Sequence, residues 1–85
     1  MFKAIILLKK KNEVSPEDFE NWWINEHSSK AAMLPKIRKL CFNLVENEGE
    51  KAFDGVAEQW FDSQKDFENA YASEIGQMVA ADSIS

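Results

Sequence analysis

Residues 15–35 read SPEDFENWWINEHSSKAAMLP. This stretch decides how the rest of the chain is organised. Ser15 can cap a helix, Pro16 suits the first helical position, and Asp18 falls where a capping-box acid sits. A proline also disfavours helical geometry in the residue before it, so the signals predict a helix from about Ser15 to Leu34, ending before Pro35. Within it, Phe19, Trp23 and His27 recur at steps of four and Ala31 continues the line. Residues at that spacing share one helical face. Trp22 and Glu26 form a neighbouring stripe nearer the edge. A face carrying two large aromatics and a histidine needs a surface to pack against, and the flanking segments read as that surface.

Upstream, residues 2–9 (FKAIILLK) alternate Ala4, Ile6 and Leu8 against Ile5 and Leu7. Both sets are apolar, which predicts a strand covered on both faces. One cover is this chain's helices, and a second subunit would serve as the other. Lys10–Val14 is a polar connection. Downstream, residues 37–46 set Leu40, Phe42 and Leu44 against Cys41, Asn43 and Val45, a second strand. Glu46–Lys51 is acidic, contains Gly49 and reads as a turn. Residues 53–61 form a third strand, with Val56, Glu58 and Trp60 on one face and Ala57 and Phe61 on the other. Ser63 and Asp66 repeat the capping signal, and Phe67, Ala70 and Tyr71 mark a second helix. A short helical turn follows from Ser73 to Ala81, with Gly76 as its weak point.

The order β-α-β-β-α followed by a short helix predicts an α+β, ferredoxin-like domain spanning residues 1–85 whose final strand is missing. Helices on one face of an antiparallel sheet leave the other face bare, and pairing two such sheets buries it. Size argues the same way. A chain of 85 residues gives one domain with a thin core, and such domains lean on staples or on self-association. The single cysteine, Cys41, forms no intrachain disulfide and suits a reducing cytosol. One Cys and one His do not make a zinc site. Self-association, as a homodimer, is the expected stabiliser.

Composition excludes other classes. With 15 acidic against 10 basic residues the net charge is −5, which gives no general attraction to nucleic-acid phosphates. The basic runs Lys9–Lys11 and Lys36–Lys39 read as strand ends meeting solvent. The apolar run Ala4–Leu8 is too short for a signal-peptide core or a membrane span, so the chain is expected to be cytoplasmic and free of membrane. No Gly-rich phosphate loop, dinucleotide fingerprint or Ser-His-Asp spacing is present, so no cofactor is expected.

Three segments together resemble the EthD family of the dimeric α/β-barrel group: W-x-x-x-H-x-x-x-A-x-x-x-P from Trp23 to Pro35, DG-x-AE-x-WF from Asp54 to Phe61, and S-x-x-G-Q from Ser73 to Gln77. The similarity runs over roughly residues 2–84. It implies a homodimer whose two sheets close a shared barrel, and a pocket between the sheet and the first helix entered near His27. It also implies an association with oxidoreductase and degradation pathways. Similar barrel proteins are isomerases, cyclases, dehalogenating enzymes or cofactor-free monooxygenases. The chain departs from the family pattern at Ser28-Ser29 and in lacking the last strand.

His27 is the leading catalytic candidate, since an imidazole with an ordinary pKa of ~6.5 suits proton transfer at neutral pH. Glu58, an acid out of pattern between Val56 and Trp60, is the second. It would act as a base or orient a histidine, or it would face a barrel mouth and bind water or a lysine. Trp23, Trp60 and Phe19 are the candidate walls for a small hydrophobic, cyclic or aromatic ligand, and Asn43 is a candidate hydrogen-bond donor to it. Three functions fit these residues: a proton-transfer enzyme, a non-catalytic binding module, and a structural dimer without ligand.

Overall fold

The computed structural model describes residues 1–46 and 52–84, with side chains as far as Asp82. The turn expected over Glu46–Lys51 falls, from residue 47 onward, outside the described residues. Three strands, β1 (Phe2–Leu8), β2 (Lys39–Leu44) and β3 (Gly55–Phe61), form one antiparallel sheet in the order β1-β3-β2. β3 is central, and its Glu58 stands between Ile5 of β1 and Cys41 of β2. The strands are shorter than the alternation suggested. Single ladder-like bonds extend them: Asp54 N–H to Leu8 O at 2.8 Å, Val45 N–H to Asp54 O at 2.9 Å and Arg38 N–H to Trp60 O at 2.8 Å.

Alternation along β3 sets the two faces. Gly55, Ala57, Gln59 and Phe61 are buried toward the helices, while Val56, Glu58 and Trp60 are only half-buried on the other side. On β1 the same parity buries Ala4 and leaves Ile5 and Leu7 at 59% and 50% exposure. Among the described residues all the helices lie on one side, and none of them covers the second apolar face of β1. The slab is thin, with extents of 38 × 23 × 17 Å. Its radius of gyration of 13.2 Å exceeds the ~12 Å expected of a compact chain of this length.

The first helix, α1, is built of three consecutive segments: an α segment Pro16–Glu20, a π segment Asn21–His27 and an α segment Ser28–Ala31. Ser15 caps it as its sequence predicts, the hydroxyl accepting from Asp18 N–H at 3.1 Å. The apolar stripe is buried as expected, Phe19, Trp23, His27 and Ala31 being at most 6% exposed. The end differs from expectation. Helical winding stops at Ala31, and Met33 N–H and Leu34 N–H bond three residues back, to Lys30 O and Ala31 O. This tighter turn brings the chain to Pro35 and then to Lys36, which takes a left-handed conformation with φ 61° before β2 begins.

The second helix, α2 (Gln64–Ala72), is capped by Ser63, whose hydroxyl accepts from Asp66 N–H at 3.1 Å. The short turn expected after Ser73 is a full helix, α3 (Glu74–Ile84). Gly76, the expected weak point, is a packing site. Its N–H donates to the Ser73 hydroxyl at 3.1 Å, and a Cβ there would stand 2.1 Å from Ala70 O and 2.4 Å from Tyr71 Cα. Only glycine lets α3 lie this close to α2. Two apolar clusters result. Ala31, Leu34, Phe61, Ala70 and Val79 join the end of α1 to α2 and α3, while Phe19, Trp23 and Ala57 join the start of α1 to the sheet. Phe42 packs against both. At the sheet, the buried amide of Gln59 exchanges hydrogen bonds with the Tyr71 hydroxyl at 2.9 and 3.1 Å. No helix among the described residues is long and apolar enough to cross a membrane.

Candidate functional site

His27 closes the π segment of α1. In such a segment the hydrogen bonds run from i to i+5, as in Ser28 N–H to Trp23 O, so residues five apart come over one another. In a regular α-helix residues 22 and 27 would point well apart; here the Trp22 and His27 rings lie 5.0 Å apart. The Phe42 ring of β2 lies 6.2 Å from the imidazole. Two aromatic rings thus pack near the imidazole, and the residue is 5% exposed.

A polar contact reaches His27 from the far end of the chain. Its Nδ1 is 2.8 Å from Asp82 Oδ2, and Lys30 Nζ stands 2.9 Å from Asp82 Oδ1. Asp82 lies on α3, one helical turn beyond the buried Val79 that anchors this helix to the core. The His27 hydrogen bond, with help from Lys30, holds the Asp82 carboxyl below its ordinary range in spite of partial burial. The cluster therefore combines an imidazole, an ionised carboxylate and an ammonium group between α1 and α3. Such a set can accept a proton and stabilise the cation that results.

Phe19 and Trp23 continue the row under the sheet. Their rings stack at 5.5 Å, and Trp23 stacks on Phe42 at 4.5 Å. Trp23 is fully buried and lies against Gly55, where a Cβ would come within 2.5 Å of the ring. Its indole nitrogen is buried without a hydrogen-bond partner. Phe19, one turn earlier on α1, also lines a cavity of about 320 Å³ together with Pro16, Leu44, Lys10 and Asp54.

The other three sequence candidates occupy the opposite face of the sheet. Glu58 pairs with Lys3 Nζ at 2.8 Å and accepts from Asn43 Nδ2 at 3.4 Å, and the lysine bond chiefly holds its carboxyl below the ordinary range. Asn43 also donates to Val56 O at 3.2 Å. The Trp60 ring is bracketed by Lys3 Nζ at 5.0 Å and Lys39 Nζ at 4.9 Å. Phe19, Trp23 and His27 thus belong together on the helix side, and Asn43, Glu58 and Trp60 on the open side. Of the roles weighed for Glu58, lysine binding is the one its contacts show; the acid beside His27 is Asp82. Sequence reading missed Asp82, Lys30 and Phe42. An acid late in a helix carries no local signal, and only the tertiary fold brings residue 82 to residue 27. Among the described residues no group of three or more His, Cys, Asp or Glu side chains is placed to hold a metal ion.

Fold and site define a class: a three-stranded antiparallel sheet covered on one face, with a buried histidine on the covering helix. Comparison with known proteins gives the family. The profile of the EthD domain matches residues 11–84, and the chain belongs to that family. The fold agrees with a crystal structure of an EthD family protein from Bacillus halodurans. The TM-score is 0.80 at 20% identity, covering 94% of this chain and 80% of that one. No curated protein matches the chain.

Proposed function

We propose that this EthD-family chain handles a small hydrophobic, cyclic or aromatic metabolite, with His27 as its proton-transfer residue. One observation carries the reading. The chain's sole histidine is buried among aromatic rings and bonded through Nδ1 to a carboxylate at 2.8 Å. Carbon acids beside a carbonyl suit such a group, because a positioned imidazole removes and returns the proton without a cofactor. In this reading the ligand would enter between the sheet and α1, with Phe19 and Trp23 as its aromatic wall; the cavity that Phe19 lines there supports it.

The working unit in this proposal is a cytoplasmic homodimer formed through the open sheet face. Exposed Ile5 and Leu7, with Val56 and Trp60 beside them, give that face the apolar surface a partner would cover. Glu58, Asn43 and Trp60 would then face the interior of the assembly. A role beside an oxidoreductase in degradation accords with family membership.

The test is deuterium exchange, followed by proton NMR, into a panel of cyclic ketones and phenols in heavy water. The wild type is expected to accelerate exchange into at least one compound. His27→Ala should abolish this while its circular dichroism stays native. Acceleration that survives His27→Ala would overturn the mechanism. The 5% exposure of His27 favours a second reading, a binding module without turnover. That reading predicts ligand binding with no exchange, and His27→Ala would alter affinity about tenfold, or about 1.4 kcal/mol.

A further inference from the structure

A neutral imidazole carries one proton, on either Nδ1 or Nε2, and the partner of one nitrogen decides which. In water histidine favours the Nε2–H form. An ionised carboxylate only accepts hydrogen bonds, so a carboxylate 2.8 Å from Nδ1 requires the proton to sit on Nδ1. The contact is sheltered, the two side chains being 7% and 15% exposed, and it links residues 55 positions apart. The second carboxylate oxygen is engaged by Lys30 at 2.9 Å, which blocks rotation of the carboxylate. The Trp22 and Phe42 rings pack near the imidazole at 5.0 and 6.2 Å.

We propose that Asp82 is the positioning residue of His27: it holds the neutral imidazole as the Nδ1–H tautomer, leaving Nε2 unprotonated as the proton acceptor, while Lys30 fixes the carboxylate. This rests on the reading of His27 as the proton-transfer group. In the step that follows, the substrate C–H bond breaks, its electron pair stays on the substrate as an enolate, and the proton binds Nε2. The resulting imidazolium has N–H on both nitrogens, and Asp82 faces its positive charge. Return of the proton to carbon restores the starting tautomer.

The chain has one histidine, so a sample labelled with nitrogen-15 histidine gives a single imidazole spectrum. Long-range proton–nitrogen correlation at about pH 9, above the ordinary histidine range, is expected to show Nδ1–H and an unprotonated Nε2. Asp82→Ala should move the population toward Nε2–H and slow deuterium exchange by about 10²-fold or more. Asp82→Glu should recover part of both, and Lys30→Met should keep the tautomer. A wild-type Nε2–H spectrum overturns the proposal, and that single measurement decides it even if Asp82→Ala fails to fold. So does an Nδ1–H spectrum that persists in folded Asp82→Ala, since a carboxylate that merely ties α3 to α1 would change stability alone. The tautomer is read without turnover. Nδ1–H with no exchange would refute the proton-transfer reading and leave the positioning role standing; His27-dependent exchange from an Nε2–H ring would do the reverse.

Discussion

Replacing Gly76 by alanine sets two effects against each other. In an unconstrained helix interior the change would stabilise by up to about 1 kcal/mol, because glycine is the poorer helix former. Here the new methyl would stand 2.1 Å from Ala70 O, 2.4 Å from Tyr71 Cα and 2.8 Å from Ala70 C, all below the 3.0 Å floor of real Cβ contacts. These are backbone atoms of α2, so no side-chain rotation relieves the clash. The helices must separate by about 1 Å, which strains the Gly76–Ser73 cap and loosens Val79 in the core. Overpacking of this kind costs about 1–3 kcal/mol, and an unyielding neighbour places it at the upper end. Set against the propensity gain, the net destabilisation is about 2 kcal/mol, a fall in Tm of roughly 8–16 °C for a domain this size. Thermal unfolding followed by circular dichroism, at matched protein concentration, measures it. A Tm equal to or above wild type would refute the close-approach argument.

The Asp82 carboxyl is held below its ordinary value of 3.8, so its pairing stabilises the fold above that value and is lost as the pH falls through the folded one. Asp82→Asn should therefore lower the urea midpoint at neutral pH, and its deficit against wild type should shrink below about pH 4; a deficit that stays constant with pH would contradict the pairing. Tyr71→Phe removes the hydroxyl that serves the Gln59 amide, itself 2% exposed, and should cost about 1–3 kcal/mol in chemical denaturation. In the wild type, burial raises the Tyr71 phenol above its ordinary 10.0, so ultraviolet titration should find it ionising late. Light scattering should give twice the chain mass for the wild type and one chain mass for Ile5→Glu, whose side chain is 59% exposed in the single chain; a monomeric wild type would remove the proposed assembly.

What the sequence made legible was the part governed by local rules. Both serine caps and the Phe19–Trp23–His27–Ala31 stripe follow from spacing, and both are found; β1 is buried on its helix side, while its Ile5 and Leu7 face stays exposed in the single chain. The end of α1 was less legible, since Pro35 forbids helix just before itself but does not say how many residues the exit turn uses. Gly76 misled because propensity measures an isolated helix, whereas its role is set by a neighbouring carbonyl. At the site, the parity of β3 was readable, with Val56, Glu58 and Trp60 together on one face. That this face is turned away from His27 depends on which side the helices pack. Asp82 was beyond reach because its contact with His27 spans 55 residues.

The π winding of α1 also fixes the phase of everything beyond it. Its seven residues hold more chain per turn than α geometry does, so the segment works as a one-residue insertion absorbed without a break in the helix. Deleting a residue such as Asn25 would let the segment relax to α winding with the later positions close to their present faces, because the extra residue is what the wider winding accommodates. The helix therefore carries a built-in allowance of one residue: relatives whose first helix is α-wound throughout should reach the same faces with one residue fewer between the positions of Ser15 and His27.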